Sequence, residues 1–222
     1  MGEVVSTGLV KLDEVLGGGV RSRTLTLIYG DEKSGKTSLV LGICASAIKN
    51  GMSAAFVDCG GRLHPRRVLQ VLDMWGADKE RLSIISIETF LQQEKVIIEI
   101  LDRPPADIIV LDDITYQHRV SMIGDVRADM PIFKRLAFQV AALKEAAVAR
   151  NIAVLIVGQV HALPGREEAR PVAQRILTHW SDVVLRISRK MGERCSKAYL
   201  EKPGQAGPIT FRPSPRGVDP CD

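Results

Sequence analysis

The stretch LIYGDEKSGKTSLVLG, Leu27 to Gly42, sets an apolar run against a loop holding two acids and two lysines, then returns to apolar residues. Leu25 to Tyr29 reads as a buried strand, and Thr37 to Ile48 as a helix with Leu39, Val40, Ile43 and Ala47 on one face. Between them, Gly30 to Thr37 satisfies G-x-x-x-x-G-K-[ST] in the strand-loop-helix context that gives this spacing its meaning. Glycines let the main chain curl until its N–H groups converge on phosphate oxygens, and the helix N-terminus adds positive potential. Gly30, Ser34, Gly35, Lys36, Thr37 and Ser38 are the expected phosphate-binding set. In that set Lys36 reaches the β and γ phosphates and Thr37 ligates Mg²⁺. Because the cradle is main chain, Asp31 and Glu32 can turn their side chains outward.

A nucleoside triphosphate such as ATP also needs its metal held from the opposite side. Asp107-Ile-Ile-Val-Leu-Asp112 offers Asp112 at the carboxyl end of a buried strand as the second Mg²⁺ ligand. Further strands are expected at Ser53 to Asp58, Leu82 to Ile87, Ile152 to Val157 and Asp182 to Ile187. Helices are expected at Pro65 to Gly76, Leu91 to Leu101 and Ile132 to Arg150. Strands apolar along their whole length, alternating with amphipathic helices, describe an α/β fold of three layers around a mostly parallel sheet. Ligands of such sheets sit at the carboxyl ends of the strands, where Asp58, Asp112 and Gln159 should converge. The tail from Pro203 to Asp222 reads as an edge hairpin that frays into a loose end, and the whole chain as one core domain.

With 222 residues, 45% of them apolar, the chain can bury a sizeable core. Its net charge of +4 is too mild to demand a polyanionic partner, although Arg186 to Gly217 holds eight Lys/Arg against two acids. Cys44, Cys59, Cys195 and Cys221 show no metal-ligand spacing and suggest neither a zinc site nor a disulfide framework, so a reducing cytoplasm is expected. The longest purely apolar run, Ile152 to Val157, is far short of the roughly 18 to 20 residues of a membrane span, and no membrane partner is expected.

STGLVKLDEVLGGGV, YGDEKSGKTS, FVDCGGRLHPRRV, IIVLDDIT, LIVGQV and HWSDVVLRI occur in the order seen in the RecA/RadA recombinase superfamily, and the chain most resembles its short archaeal RadA paralogues of the RadB and RadC types. The resemblance implies a RecA-like P-loop ATPase core, here with only six residues ahead of Thr7 and so no preceding helix-hairpin-helix domain. It implies a catalytic set of Lys36, Asp112 and Gln159, with Gln159 contacting the γ-phosphate and relaying its presence to the next segment. It also implies a role in homologous recombination, with single-stranded DNA and a main RadA-type recombinase or other paralogues as partners.

Two departures from the family pattern stand out. Members usually carry Asp-x-Glu-Gly after the second strand, with the Glu polarising the attacking water, whereas Asp58-Cys59-Gly60-Gly61 puts Gly60 at that position. Hydrolysis should lose the roughly 10²- to 10⁴-fold that a positioned base contributes, unless Asp113 compensates. The family's Phe-x-x-Ala assembly segment is matched only by Phe138 to Ala141 inside a predicted helix, where Phe138 is expected in the core. A monomer or small oligomer is therefore expected rather than a long filament. The segments matching the family's DNA-facing loops hold Tyr116, His118, Arg119 and Arg127, then Arg166, Arg170 and Arg175. Arg62, His64, Arg66 and Arg67 form another acid-free cluster near the nucleotide, and Lys202 could reach a neighbour's phosphate. A KaiC-like signalling ATPase without DNA binding is the alternative reading, which Gly60 disfavours because such proteins carry paired glutamates near that place.

Overall fold

The computed structural model describes residues 2–159 and 172–221. In chain order the elements are β1 (Val4–Val5), α1 (Val10–Val15), β2 (Val20–Arg21), β3 (Leu25–Gly30), α2 (Lys36–Lys49), β4 (Ala54–Asp58), α3 (Pro65–Trp75), β5 (Leu82–Ser86) and α4 (Phe90–Asp102). They continue as β6 (Ile108–Asp112), α5 (Tyr116–Val120), α6 (Val126–Ala149), β7 (Ala153–Gln159), α7 (Val172–Trp180), β8 (Val183–Ser188), β9 (Ser196–Lys202), β10 (Ala206–Ser214) and β11 (Gly217–Pro220). A nine-stranded sheet runs β11-β10-β9-β8-β3-β7-β6-β4-β5, and β1 and β2 pair separately. From β8 to β5 all pairings are parallel, while β9, β10 and β11 extend the β8 edge antiparallel. This is the mostly parallel α/β architecture expected from the strand pattern.

The layers follow from side-chain alternation along fully buried strands. Ile28, Phe56, Val110 and Leu155 join Leu39, Ile43 and Val68 of α2 and α3 in one apolar core. Leu27, Val57, Leu111 and Ile156 join Ile97, Leu136, Val140 and Leu143 of α4 and α6 in the other. Each such side chain taken from water contributes about 1.5–3 kcal/mol, so the covering helices are held mainly by the sheet. At the open edge β5 is only half covered, and Ile84 is exposed.

Helix ends show local chemistry at work. Pro65 opens α3 and Gly76 closes it at φ 62°, a left-handed turn that glycine adopts without strain. The α6 helix starts six residues ahead of the expected Ile132, because the Asp125 carboxylate accepts hydrogen bonds from the N–H groups of Arg127 and Ala128. Phe138 lies on α6 as expected but 53% exposed, since the neighbouring Gln139 and Val140 take the inward positions. In the opening motif, Asp13 accepts from Thr7 N at 2.7 Å and Thr7 Oγ1 at 2.6 Å, which ties the chain entrance to α1.

The tail differs from the frayed end expected. β10 and β11 stay paired from Ser214↔Gly217 to Phe211↔Pro220, and the turn between them docks on α3. Arg67 donates to the carbonyls of Ser214 and Pro215, and the Trp75 indole donates to that of Arg216 at 2.7 Å. A side chain at Gly217 would meet the Gly42 Cα and the Ser38 carbonyl at 2.9 Å, so the glycine lets β11 lie directly on α2. The expectation of unpaired cysteines is also corrected. Cys195 and Cys221, 26 residues apart, are disulfide-bonded, because Ser196 and Pro220 flank Phe211 from the two sides of β10 and bring their neighbours together. Among the described residues, no helix is long and apolar enough to cross a membrane.

Candidate functional site

Strand register assembles the site. Gly30 pairs with Gln159 across β3 and β7, and Asp58 pairs with Asp112 across β4 and β6, so four strand ends meet at one edge of the sheet. Asp58, Asp112 and Gln159 wall a cavity of about 220 Å³ that also takes in Lys36, Thr37, Gly60, Arg62, Asp113 and Tyr116.

The loop from β3 to α2 has the backbone that its glycines predict. A Cβ on Gly30 would lie 1.7 Å from the Ile187 carbonyl oxygen, so only glycine lets β3 end so close to β8. Gly35, at φ 93°, turns the chain into α2. Ser34 is buried and donates to the Asp31 carbonyl at 2.8 Å, bracing the loop, while Ser38 is half-buried in the first turn of α2. Lys36 is buried, and its ammonium donates to the carbonyls of Gly30 at 3.0 Å and Asp31 at 2.5 Å. Burial pushes its pKa below the ordinary 10.5, against the opposing pull of Asp112, Asp113, Asp31 and Glu32. Asp31 and Glu32 are exposed, as a main-chain cradle allows.

Thr37 Oγ1 donates to Asp112 Oδ2 at 2.5 Å, so the two expected metal ligands already touch. Burial, reinforced by Asp113, pushes the Asp112 carboxyl up to about 6, and the Thr37 hydrogen bond opposes the shift. Paired hard oxygens beside a buried ammonium and a convergent loop suit Mg²⁺ and a polyphosphate.

Beyond Asp112 the arrangement was less legible. The Asp112–Asp113 peptide is cis, and Asp113 also lines the cavity. Its carboxylate accepts from Thr115 N at 2.9 Å, Thr115 Oγ1 at 2.5 Å and an Arg119 guanidinium nitrogen at 3.0 Å. The same Arg119 nitrogen donates to Gln159 Oε1 at 3.3 Å. Arg119, expected in a DNA-facing loop, thus sits on α5 and joins the two strand ends. His118 is not on a loop surface either. It is buried against Phe90 and Phe133 with both ring nitrogens unpartnered, and burial with help from Arg119 pushes its pKa down to about 4. Tyr116 faces the cavity with the guanidinium groups of Arg62 and Arg119 over its ring at 5.2 and 5.9 Å. The one available signal was spacing, since Thr115 and Arg119 stand four apart and so share a helix face.

Arg127 and Arg175 are exposed, near the start of α6 and on α7 respectively, while Arg166 and Arg170 lie outside the described residues. Lys202 donates to the Ser181 carbonyl. The cluster expected around residue 64 divides, with Arg62 at the cavity and Arg67 spent on the tail's carbonyls.

A family model described as Rad51 matches residues 3–206. The DNA repair and recombination protein RadB of Thermococcus gammatolerans is 30% identical over 97% of this chain and 98% of its own length. The protein of the same name from Halobacterium salinarum is 32% identical over 88% of this chain and 85% of its own length. That of Methanocaldococcus jannaschii is 30% identical over 95% and 100%. With its strand ends, its loop and these likenesses in agreement, the chain belongs to the Rad51 family of the RecA/RadA superfamily, on its RadB-like side.

Proposed function

We propose that this chain binds Mg·ATP and acts in DNA repair and homologous recombination, in the cytoplasm, as a monomer or small oligomer that assists a RadA-type recombinase. ATP turnover is slow. Gly30, Ser34, Gly35, Lys36, Thr37 and Ser38 hold the phosphates, and Thr37 and Asp112 hold Mg²⁺, which supplies charge neutralisation across the β and γ phosphates. The names of the relatives support the recombination role.

The observation that carries slow turnover is the place where a base would stand. A Cβ on Gly60 would make only ordinary contacts, 3.6 Å from Arg62 and from Tyr116, and its φ lies outside the left-handed region. Nothing in the backbone forbids a Glu there, yet among the described residues none lines the cavity on that side. Asp113 is engaged by Thr115 and Arg119, which suits it to position Arg119 against Gln159 rather than to take a proton from water. Gln159 reads the γ-phosphate, and Arg119 passes its position to α5. Single-stranded DNA is met by Arg127, Arg166, Arg170 and Arg175, with Arg119 holding α5 to Asp113 and Gln159. ATP turnover by wild type and Gly60→Glu, with and without single-stranded DNA, tests the reading. A slow wild type that Gly60→Glu accelerates is the expected result, and fast wild-type turnover abolished by Asp113→Ala would make Asp113 the base. DNA affinity insensitive to salt would remove the arginines from the interface.

A further inference from the structure

The Asp58 carboxylate organises the turn that follows β4, accepting from Gly60 N at 3.2 Å, Arg62 N at 3.1 Å and Leu63 N at 2.9 Å. Three hydrogen bonds to one buried carboxylate fix where Arg62 leaves the main chain, at the mouth of the cavity. Its side chain then runs beside the space that a side chain on Gly60 would enter, with Cγ 3.6 Å from the position of that Cβ. The guanidinium lies over Tyr116 and 3.8 Å from Glu32 on the phosphate loop, and both members of this ion pair are 62% exposed. Such an exposed, long ion pair is weak, so a stronger anion displaces it.

The cavity's charges show which anion that is. Asp58, Asp112, Asp113 and Glu32 line it, Arg119 neutralises Asp113, and Lys36 is the buried cation. A triphosphate with one Mg²⁺ keeps about two negative charges, and beside Lys36 the described residues lining the cavity offer the exposed Lys33 and Arg62 to offset them. Arg62 can offset the rest by turning from Glu32 into the cavity, and a guanidinium binds phosphate with paired, charge-assisted hydrogen bonds.

Resting on the nucleotide-site reading above, we infer that Arg62 is the residue by which this chain tells a triphosphate from a diphosphate, exchanging Glu32 for the γ-phosphate when the triphosphate binds. The site would then have a cation from its own chain where a carboxylate usually stands, and a guanidinium that binds the γ-phosphate takes no proton from water. It also ties ATP to α5, because leaving Tyr116 removes one of the two guanidinium groups stacked on that ring.

Titration of Mg·ATP and Mg·ADP against wild type, Arg62→Ala, Arg62→Lys and Glu32→Ala tests this. Arg62→Ala should weaken Mg·ATP by about tenfold or more and leave Mg·ADP within about twofold, with Arg62→Lys between it and wild type. Glu32→Ala, which removes the competing partner, should bind Mg·ATP as tightly as wild type or more so. Equal losses for both nucleotides, or none for either, would overturn the role of Arg62 while leaving the nucleotide site standing. A wild type that binds neither nucleotide, or a Lys36→Ala variant that binds both like wild type, would instead remove the site reading and Arg62 with it. Because the Arg62 side chain is exposed, its variants should melt with wild type, and a melting curve confirms that affinity rather than folding is compared.

Discussion

The two sides of the cavity are built differently. On the phosphate side, Lys36 and Thr37 come from one short motif, and Asp112 meets them through a single strand register. On the water side, Gly60 contributes no side chain, and the wall is a relay of Arg62, Tyr116, Arg119, Asp113 and Gln159 drawn from three segments. Gripping phosphates requires main-chain N–H groups and one ammonium, which local sequence supplies. Activating water requires a group aimed at one point, which only the assembled fold can provide, and here the side chains beside Gly60 are those of Arg62 and Tyr116.

Gly60→Glu should give the largest effect, raising ATP turnover by roughly 10²-fold, the lower end of what a positioned base supplies. A steady-state phosphate-release assay measures it, and no gain would mean that the water side lacks more than a carboxylate. Next, Lys36→Ala should weaken Mg·ATP by roughly 30- to 100-fold, the worth of a buried charge-assisted contact, as read by titration calorimetry. Unchanged affinity would show that Lys36 does not grip the phosphates.

Asp112→Asn should raise the melting temperature of the nucleotide-free protein at neutral pH while abolishing the Mg²⁺ dependence of ATP binding. The folded carboxyl titrates at about 6 against an ordinary 3.8, so the native state holds its proton more tightly. Stability is then lost as pH rises from 3.8 to about 6, and the deficit persists above that. The amide should recover about 1–3 kcal/mol at pH 7.5, and its advantage should shrink as the pH is lowered towards 3.8. A melting temperature unchanged at both ends of that range would show that the carboxylate is solvated.

Smaller effects probe the relay. Asp113→Asn should leave turnover within about threefold, because a positioning group that keeps one acceptor loses only part of a charge-assisted bond. A drop of 10²-fold or more would reassign the base. His118→Phe should stabilise the protein by about 0.5–1 kcal/mol in thermal melts, since it replaces two unpartnered buried nitrogens with apolar atoms between Phe90 and Phe133.

The parallel sheet was legible because β3, β4, β6 and β7 are apolar apart from Thr26 and the polar residues that end β4, β6 and β7, a pattern that strands covered on both faces produce. The α5 segment was not. Tyr116, His118 and Arg119 are consecutive enough to pass for a polar loop, yet the helix sends them respectively to the cavity, the core and the strand ends. A composition shared by loops and short helices carries no direction, and direction decides their roles. The tail misled for a similar reason. Prolines and glycines read as an edge hairpin with a loose end, but Gly217 lies on α2, and Arg67 and Trp75 supply donors for carbonyls that would otherwise need water.

By itself, the sequence determined the glycine-lysine loop between β3 and α2 and the carboxylate that ends β6, because each depends on residue type at fixed local spacing, while the family resemblance singled out Gly60. Tertiary structure alone decided that Arg62 covers the space beside Gly60, that Arg119 links Asp113 to Gln159, and that Cys195 bonds Cys221. Those pairings join residues whose separation along the chain carries no distance, and they exist only once the sheet has set its strand order.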